Sequence, residues 1–221
     1  MEHYLSNELA KSISKVNVKM VDELINICEK FYNQPVNNLQ DLKKRNTKLK
    51  GDIFESFCYR YMKLCYGLKD IWFYKDIPDE IRLKLNLGKY DMGIDFVGRD
   101  DNDEYYAIQA KYRKRKEGKK TGITWKQLST FYALALKTGP YKKHIVFTNA
   151  DYVRHIGKKT QHDQTINYNS LKKIDHFKWM KIANINIQKQ EDIQKNESEK
   201  SYKKLSIEEL RLKRLIFYQN K

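Results

Sequence analysis

The stretch MGIDFVGRDDNDEYYAIQAKY, residues 92–112, predicts two β-strands joined by a polar turn. Residues 92–98 and 104–112 are rich in apolar and aromatic side chains, whereas the intervening RDDND is typical of a hairpin turn. Because side chains alternate between the two faces of a strand, Gln109 and Lys111 are predicted to lie on the same face. The hairpin would also bring Asp95 beside the strand that carries Gln109.

Asp95 is unusual because it lies within the otherwise apolar run GIDFVG. A carboxylate in such surroundings carries a large desolvation cost unless a cation, a metal or a hydrogen-bond network compensates for it. We therefore predict that the Asp95 carboxylate, the Gln109 amide oxygen and the Lys111 ammonium group converge.

Elements on either side of the hairpin predict an α/β fold. Residues 52–66 and 125–137 place apolar residues at helical spacing, and Gly67 stands where a helix C-cap is expected. Residues 71–75 and 143–149 are short apolar runs that suit strands. The succession of helices and strands favours a mixed β-sheet flanked by helices, because the hairpin makes a purely parallel sheet unsuitable.

The chain is expected to comprise one main domain with extensions. We predict a helical N-terminal extension over 1–50, a core over 51–150 and the C-terminal part of the domain over 151–187. QKQEDIQKNESEKSYKK, residues 188–204, is typical of a polar linker. The segment 205–221 predicts a terminal helix, because Ser206 and Glu209 form a capping-box pattern.

The charge balance favours a polyanionic partner. The chain has 44 Lys and Arg residues against 28 Asp and Glu residues, which gives a net charge of +16. The three cysteines form no CxxC pair, so we expect neither a zinc finger nor a disulfide framework. With no secretory signal and no apolar run of about 18 residues, we expect an intracellular protein, cytoplasmic or nuclear, that neither is secreted nor binds a membrane.

Three motifs carry a family resemblance, namely GDIFE at 51–55, GIDFVG at 93–98 and AIQAKY at 107–112. Together they resemble the PD-(D/E)xK nuclease superfamily, and in particular its Mrr-like branch, in which QxK replaces the commoner (D/E)xK. Ile94 stands where the motif has proline. The resemblance covers roughly residues 51–150 and implies a restriction-endonuclease-like fold. Similar modules are attached to restriction and viral helicases.

The resemblance also implies the roles of four residues in a metal-dependent DNA endonuclease. Glu55, Asp95 and Gln109 would hold Mg²⁺, for which Mn²⁺ could substitute, and Lys111 would lie beside the attacking water. Oxygen ligands are those that such hard cations prefer. DNA is the implied partner, with a helicase or ATPase module in cis or in trans and a homodimer as further possibilities.

The run KYRKRKEGKK, residues 111–120, follows this predicted site and contains seven basic residues. Its position predicts contacts with DNA phosphates, although basic runs are also common on solvated loops. The predicted DNA-binding residues are Arg113, Lys114, Arg115, Lys116, Lys119 and Lys120. Tyr112 and Trp125 flank the run and could stack on bases, with core packing the alternative for Trp125. Because no base-reading motif accompanies the run, we expect little sequence readout.

Two alternatives to the endonuclease stay open. A catalytically weakened nucleic-acid-binding module would keep the same fold, because an amide at position 109 binds metal less strongly than a carboxylate. A Holliday-junction resolvase-like nuclease would use a related site and act as a dimer on branched DNA.

Overall fold

A computed structural model of the 221-residue chain describes residues 1–30, 49–90, 93–116, 118–154 and 160–185. The elements within these ranges belong to one compact unit, Met1–Asn184. Helices α1 to α7 span Glu2–Ile13, Met20–Glu29, Leu49–Leu64, Asp79–Lys84, Ser129–Lys137, Tyr168–Leu171 and His176–Ile182. Strands β1 to β7 span Asp70–Phe73, Phe96–Arg99, Tyr105–Lys111, Gly122–Ile123, Lys143–Thr148, Tyr152–Val153 and Asp163–Ile166.

The main sheet is mixed and has the strand order β1-β2-β3-β5-β7. Strands β1, β2 and β3 are antiparallel neighbours, whereas β5 runs parallel to β3 and β7 runs parallel to β5. Strands β4 and β6 form a separate parallel pair. The predicted α/β fold with a mixed sheet flanked by helices is therefore confirmed.

The hairpin between β2 and β3 is stabilised by its aspartates. The Asp100 carboxylate accepts hydrogen bonds from the backbone N–H groups of Asn102 and Glu104, each at 3.0 Å. Its other oxygen accepts the Tyr106 hydroxyl at 2.9 Å and the Lys142 ammonium group at 3.1 Å. Burial raises the pKa of Asp100, but these hydrogen bonds outweigh burial and lower it to about 2. The aspartate-rich turn is thus a specific structure that joins the two strands.

Helix α3 packs its aromatic face on the sheet. The buried side chains of Phe54 and Phe57 make edge contacts with Phe147 of β5, at ring-centroid distances of 6.0 and 5.9 Å. Cys58 is fully buried on the same helix. The helix begins at Leu49 rather than 52 and ends at Leu64, and Gly67 follows with a φ of 90°, which glycine adopts easily.

Helix α5 lies against the other apolar core. Phe131 and Ala135 are buried there together with Val97 and Val146 of the sheet. Leu136 of the same helix is 74% exposed although it is apolar. It directly follows the buried Ala135, and one residue corresponds to a rotation of about 100° around a helix.

Two segments outside the motifs contribute to the fold. Helices α1 and α2 pack against α3 through buried residues that include Leu5, Leu9 and Leu24. In the region after Ala150, for which the sequence favoured no assignment, β7 joins the sheet, and Asn167 and Asp175 cap α6 and α7. The predicted domain boundaries stay predictions, and both the polar linker 188–204 and the terminal helix 205–221 lie outside the described residues.

Of the helices that the structure describes, none has both the length and the apolar character needed to cross a membrane.

Candidate active site

An open cavity of about 750 Å³ lies where α3, the end of β1 and the residues before β2 meet. Its lining includes the carboxylates of Asp52 and Glu55 from α3 and of Asp95 from the segment before β2. The structure therefore brings two of the predicted site residues, Glu55 and Asp95, into one cavity although they are far apart in sequence.

Asp95 is held in place by three hydrogen bonds. Its backbone N–H donates to the carbonyl of Ile108 at 3.0 Å, and its own carbonyl accepts from the N–H of Tyr74 at 2.9 Å. The carboxylate Oδ2 accepts the N–H of Ala110 on β3 at 2.7 Å. This carboxylate is thus bonded to the backbone of Ala110, the residue between Gln109 and Lys111, whereas the convergence of the three side chains stays a prediction.

Glu55 is half-buried on α3, one turn before the fully buried Cys58. Burial raises the pKa of the Cys58 thiol, and the negative charges of Glu55 and Asp95 raise it further. Because the charges of Glu55 and Asp95 both raise the pKa of the Cys58 thiol, the two carboxylates lie near each other. The cavity therefore has a concentrated negative charge at its base.

Gln109 is 5% exposed, and its side-chain oxygen Oε1 is buried without a hydrogen-bond partner in the described part of the chain. A buried acceptor in this state costs about 1–3 kcal/mol, which a cation ligated by this oxygen would offset. Lys111 is half-buried, and its ammonium group forms no salt bridge with a carboxylate of the described residues. Neither Gln109 nor Lys111 is among the described residues that line the cavity, although they flank Ala110.

The donor set near the cavity is limited. Within residues 1–30, 49–90, 93–116, 118–154 and 160–185, no group of three or more His, Cys, Asp or Glu side chains is placed to hold a metal ion. The oxygen donors at the predicted site residues are the carboxylates of Glu55 and Asp95, which line the cavity together with those of Glu2 and Asp52, and the amide of Gln109. Such a set suits a hard cation that retains several water ligands.

The cations of the basic segment, defined as residues 113–120, differ in their surroundings, because the arginines make contacts within the fold and the lysines are exposed. The Arg115 guanidinium donates to the carbonyl of Asn149 at 3.0 Å and to the Asp151 carboxylate at 2.9 Å, and it lies 3.8 Å from the ring centroid of Tyr168. Arg113 exchanges hydrogen bonds between its backbone and the Asn149 side chain, and burial lowers its pKa. Both arginines thus have contacts within the fold.

Four lysines of the same segment are exposed, namely Lys114, Lys116, Lys119 and Lys120. Lys116 and Lys119 form an antiparallel bridge across a turn that contains Gly118, whose φ is 67°. Both lysines and Lys120 are exposed, and with Arg115 and Asp151 they line a second cavity of about 380 Å³. The exposed ammonium groups are accessible to a phosphate backbone, and the role of the whole segment in DNA binding stays a prediction.

The aromatic residues that flank the basic segment have partners. The Tyr112 hydroxyl donates to Oε1 of the buried Glu29 at 2.7 Å, and burial raises the pKa of Tyr112 above its ordinary value. Trp125 stacks on Tyr132 at a centroid distance of 4.8 Å. These contacts favour packing for both rings over stacking on bases.

Among the residues at the cavity that the sequence did not indicate are two lysines and a tyrosine. Lys75, Lys89 and Tyr90 line it beside the carboxylates. Lys89 and Tyr90 follow Gly88 as an adjacent pair, and the sequence around this pair has no periodic pattern that would have indicated a site.

A mixed sheet flanked by helices is the fold that the nuclease motifs predict, and Glu55 and Asp95 line one cavity within it. Residues 63–199 match the Mrr_cat_2 family of restriction endonucleases, and the chain belongs to this family. The resemblance to the Mrr-like branch is thereby confirmed. The match includes Asp95, Gln109 and Lys111 and begins after Glu55.

Two other comparisons accompany the family match. The chain is similar to a solved structure described as "ATP-dependent Type ISP restriction-modification enzyme LlaBIII bound to DNA", with 18% identity and a TM-score of 0.42. The similarity covers 62% of this chain and 8% of that one, so the chain spans a small part of that enzyme. No curated protein matches the chain.

Proposed function

We propose that this chain is a metal-dependent endonuclease that hydrolyses DNA phosphodiester bonds with little sequence readout. Besides the family, the observation that carries the proposal is the position of Asp95. Its carboxylate shares a cavity with Glu55 and at the same time accepts the N–H of Ala110, between Gln109 and Lys111.

The residues present fit a Mg²⁺ or Mn²⁺ ion. Glu55 and Asp95 would hold it together with Gln109, whose buried Oε1 has no hydrogen-bond partner among the described residues. When bound, such a metal polarises a phosphoryl oxygen and lowers the pKa of a bound water. The hydrogen bond from Ala110 keeps the Asp95 carboxylate oriented, so little reorganisation is needed when charge develops on the substrate.

Lys111 would act on the same reaction as a cation. An ammonium group beside the scissile phosphate orients the attacking water or offsets the negative charge that develops in the transition state. The lack of a salt bridge from Lys111 to a described carboxylate leaves its charge available for that task. We assign catalysis to Lys111 and metal binding to Glu55, Asp95 and Gln109.

DNA is the proposed partner, bound through the basic segment. Contacts with phosphates supply affinity without base identity, which accounts for the expected lack of sequence readout. Lys114, Lys116, Lys119 and Lys120 would make these contacts, with Arg113 and Arg115 supporting the segment from within the fold. A helicase or ATPase module in cis or in trans, and a homodimer, stay predictions.

A cleavage assay with Asp95→Asn tests the proposal. Asparagine keeps an oxygen that can accept the Ala110 N–H but removes the charge, so the fold should persist while cleavage falls by at least about 10²-fold. Asp101→Asn, at an exposed position of the hairpin turn, is the matched control. The assay compares supercoiled, linear and four-way-junction DNA with and without Mg²⁺ or Mn²⁺, and full activity of Asp95→Asn would contradict the assignment.

The same assay separates the two alternatives. DNA binding by the wild type without cleavage under any metal condition would indicate the weakened binding module. Cleavage confined to the four-way junction would indicate the resolvase-like nuclease instead.

A further inference from the structure

Two lysines and a tyrosine form a rim on the cavity that contains Glu55 and Asp95. Lys75, Lys89 and Tyr90 all line this cavity, and all three are exposed. The side chain of Tyr90 is 78% exposed. An exposed aromatic ring and two cations that line the same acidic cavity have the composition of a surface that binds single-stranded nucleic acid.

The backbone beneath this rim is held in place. The carbonyl oxygen of Gly88 accepts hydrogen bonds from the Tyr74 hydroxyl oxygen at 2.8 Å and from Nη1 of Arg82 at 2.7 Å. The second guanidinium nitrogen of Arg82 donates to the carbonyl of Tyr74 at 2.7 Å. Because Tyr74 is also bonded to the carbonyl of Asp95, the residues before Lys75 and Lys89 are tied to the candidate active site.

The charges of the cavity explain why a rim of cations is needed. Glu2, Asp52, Glu55 and Asp95 line the cavity, and their carboxylates would repel a phosphate backbone that approaches it. Lys75 and Lys89 bring positive charge to the same opening, where they can bind the phosphates next to the one that reaches the carboxylates.

The ring of Tyr90 restricts the form of DNA that can use this rim. A base within a duplex is stacked on both sides and offers only its edges, whereas an unpaired base offers a face on which an aromatic ring can stack. A solvent-exposed ring that lines the same cavity as two lysines therefore matches an unpaired nucleotide.

We propose that Lys75, Lys89 and Tyr90 bind single-stranded or locally unpaired DNA at the candidate active site. Tyr90 stacks on an unpaired base beside the scissile phosphate, and the two lysines bind flanking phosphates. The inference rests on the proposed nuclease function and specifies its substrate class.

Binding measurements with the full chain test the role of Tyr90. A fluorescein-labelled single strand and the duplex of the same sequence are titrated in EDTA, so that no cleavage occurs. Loss of one base–aromatic stack in Tyr90→Ala should weaken single-strand binding by about 5- to 100-fold and change duplex binding by less than about twofold. Tyr90→Phe should bind like the wild type, because the ring is retained.

Phe177→Ala is the matched control, because Phe177 is another exposed aromatic residue, 58% exposed, that does not line the cavity. This variant should bind both forms of DNA like the wild type. A thermal melt of each variant checks folding. Equal affinities of Tyr90→Ala and the wild type for the single strand, or equal losses on the single strand and the duplex, would overturn the proposal.

The lysines are tested by the salt dependence of single-strand binding. Lys75→Ala and Lys89→Ala should each lower the magnitude of the slope of log K against log [salt] by about 0.7, because each variant binds one phosphate fewer. An unchanged slope in both variants would contradict their assignment. RNA binding equal to DNA binding would overturn the restriction to DNA.

These outcomes are distinguishable from failure of the nuclease proposal. If the wild type binds single strands selectively through Tyr90 but cleaves no DNA, the result would support the rim as a binding surface and contradict the nuclease proposal. If Asp95→Asn lowers cleavage and Tyr90→Ala changes neither cleavage nor single-strand binding, the nuclease proposal is supported and the role of the rim is contradicted.

Discussion

In the cavity beside β3, Asp95 is held by three hydrogen bonds and shares its surroundings with Glu55. In the basic segment, by contrast, Lys116 and Lys119 point their charges to solvent on a short turn, whereas Arg115 is bonded to Asn149 and Asp151. Charge number alone would make the basic segment the dominant feature of the site. Burial and hydrogen bonding show instead that the two regions suit different tasks, because a reacting centre needs oriented groups and a phosphate surface needs accessible ones.

The largest expected effect is a loss of DNA cleavage when Lys111 is replaced. Lys111→Ala should lower cleavage by at least about 10²-fold, the scale of losing one electrostatic stabiliser, with little change in DNA affinity. The measurement is single-turnover cleavage of supercoiled DNA at saturating enzyme. Lys137→Ala, at an exposed lysine in the last turn of α5, is the control and should cleave like the wild type. Equal cleavage rates of Lys111→Ala and Lys137→Ala would contradict a catalytic role for Lys111.

The next effect divides the basic segment itself. Arg115→Ala should lower the free energy of unfolding by about 1–3 kcal/mol, because it removes the guanidinium that donates to Oδ1 of the half-buried Asp151 carboxylate and to the Asn149 carbonyl. Lys116→Ala, one residue away and exposed, should change stability by less than about 0.5 kcal/mol. Urea denaturation measures both. Equal stabilities of the two variants would show that all cations of the segment are equivalent.

A smaller effect per residue is expected on DNA binding. Replacing Lys116, Lys119 and Lys120 together by alanine should reduce the magnitude of the slope of log K against log [salt] on duplex DNA by roughly 0.9 for each phosphate that is no longer bound. Affinity should fall alike for unrelated sequences, because phosphates carry no base identity. A slope identical to that of the wild type would show that these lysines form only a solvated loop.

The smallest effect is a pH dependence of stability at Asp151. Burial raises its pKa, but hydrogen bonds from Arg115 and from the Thr121 N–H outweigh burial, so that the net pKa lies below the ordinary value. A lowered folded-state pKa stabilises the protein above the unfolded value, near 4, and this contribution is lost as the pH falls through the folded value.

The stability difference between the wild type and Asp151→Asn should therefore be constant from neutral pH to about pH 5 and should shrink below it. Thermal melts across this range measure the difference, and Asp101→Asn, at an exposed position of the hairpin turn, is the control for replacing an aspartate. A difference that grows on acidification would have the wrong sign for a stabilised carboxylate.

The hairpin shows what local pattern can predict. Alternating apolar residues, an aspartate-rich turn and a carboxylate within an apolar run are all short-range signals, and they correctly indicated two paired strands with Asp95 beside β3. The helical stripe of α3 was predictable for the same reason. By contrast, β7 carries three half-exposed residues out of four, so its sequence has no strong strand signal, and only pairing with β5 makes it part of the sheet.

The α/β class, the hairpin and the pairing of Asp95 with the Gln109 strand follow from periodicity, which operates over a few residues, and the nuclease family follows from three short motifs in a fixed order. The contacts of the folded chain were needed to show which cations of the basic segment are held inside the fold and that Lys75, Lys89 and Tyr90 line one cavity with the carboxylates. These properties depend on contacts between residues that are distant in the chain, such as Arg115 with Asp151. Whether a charge is buried and paired or exposed is a property of its neighbours in space, and neighbours in sequence do not specify it.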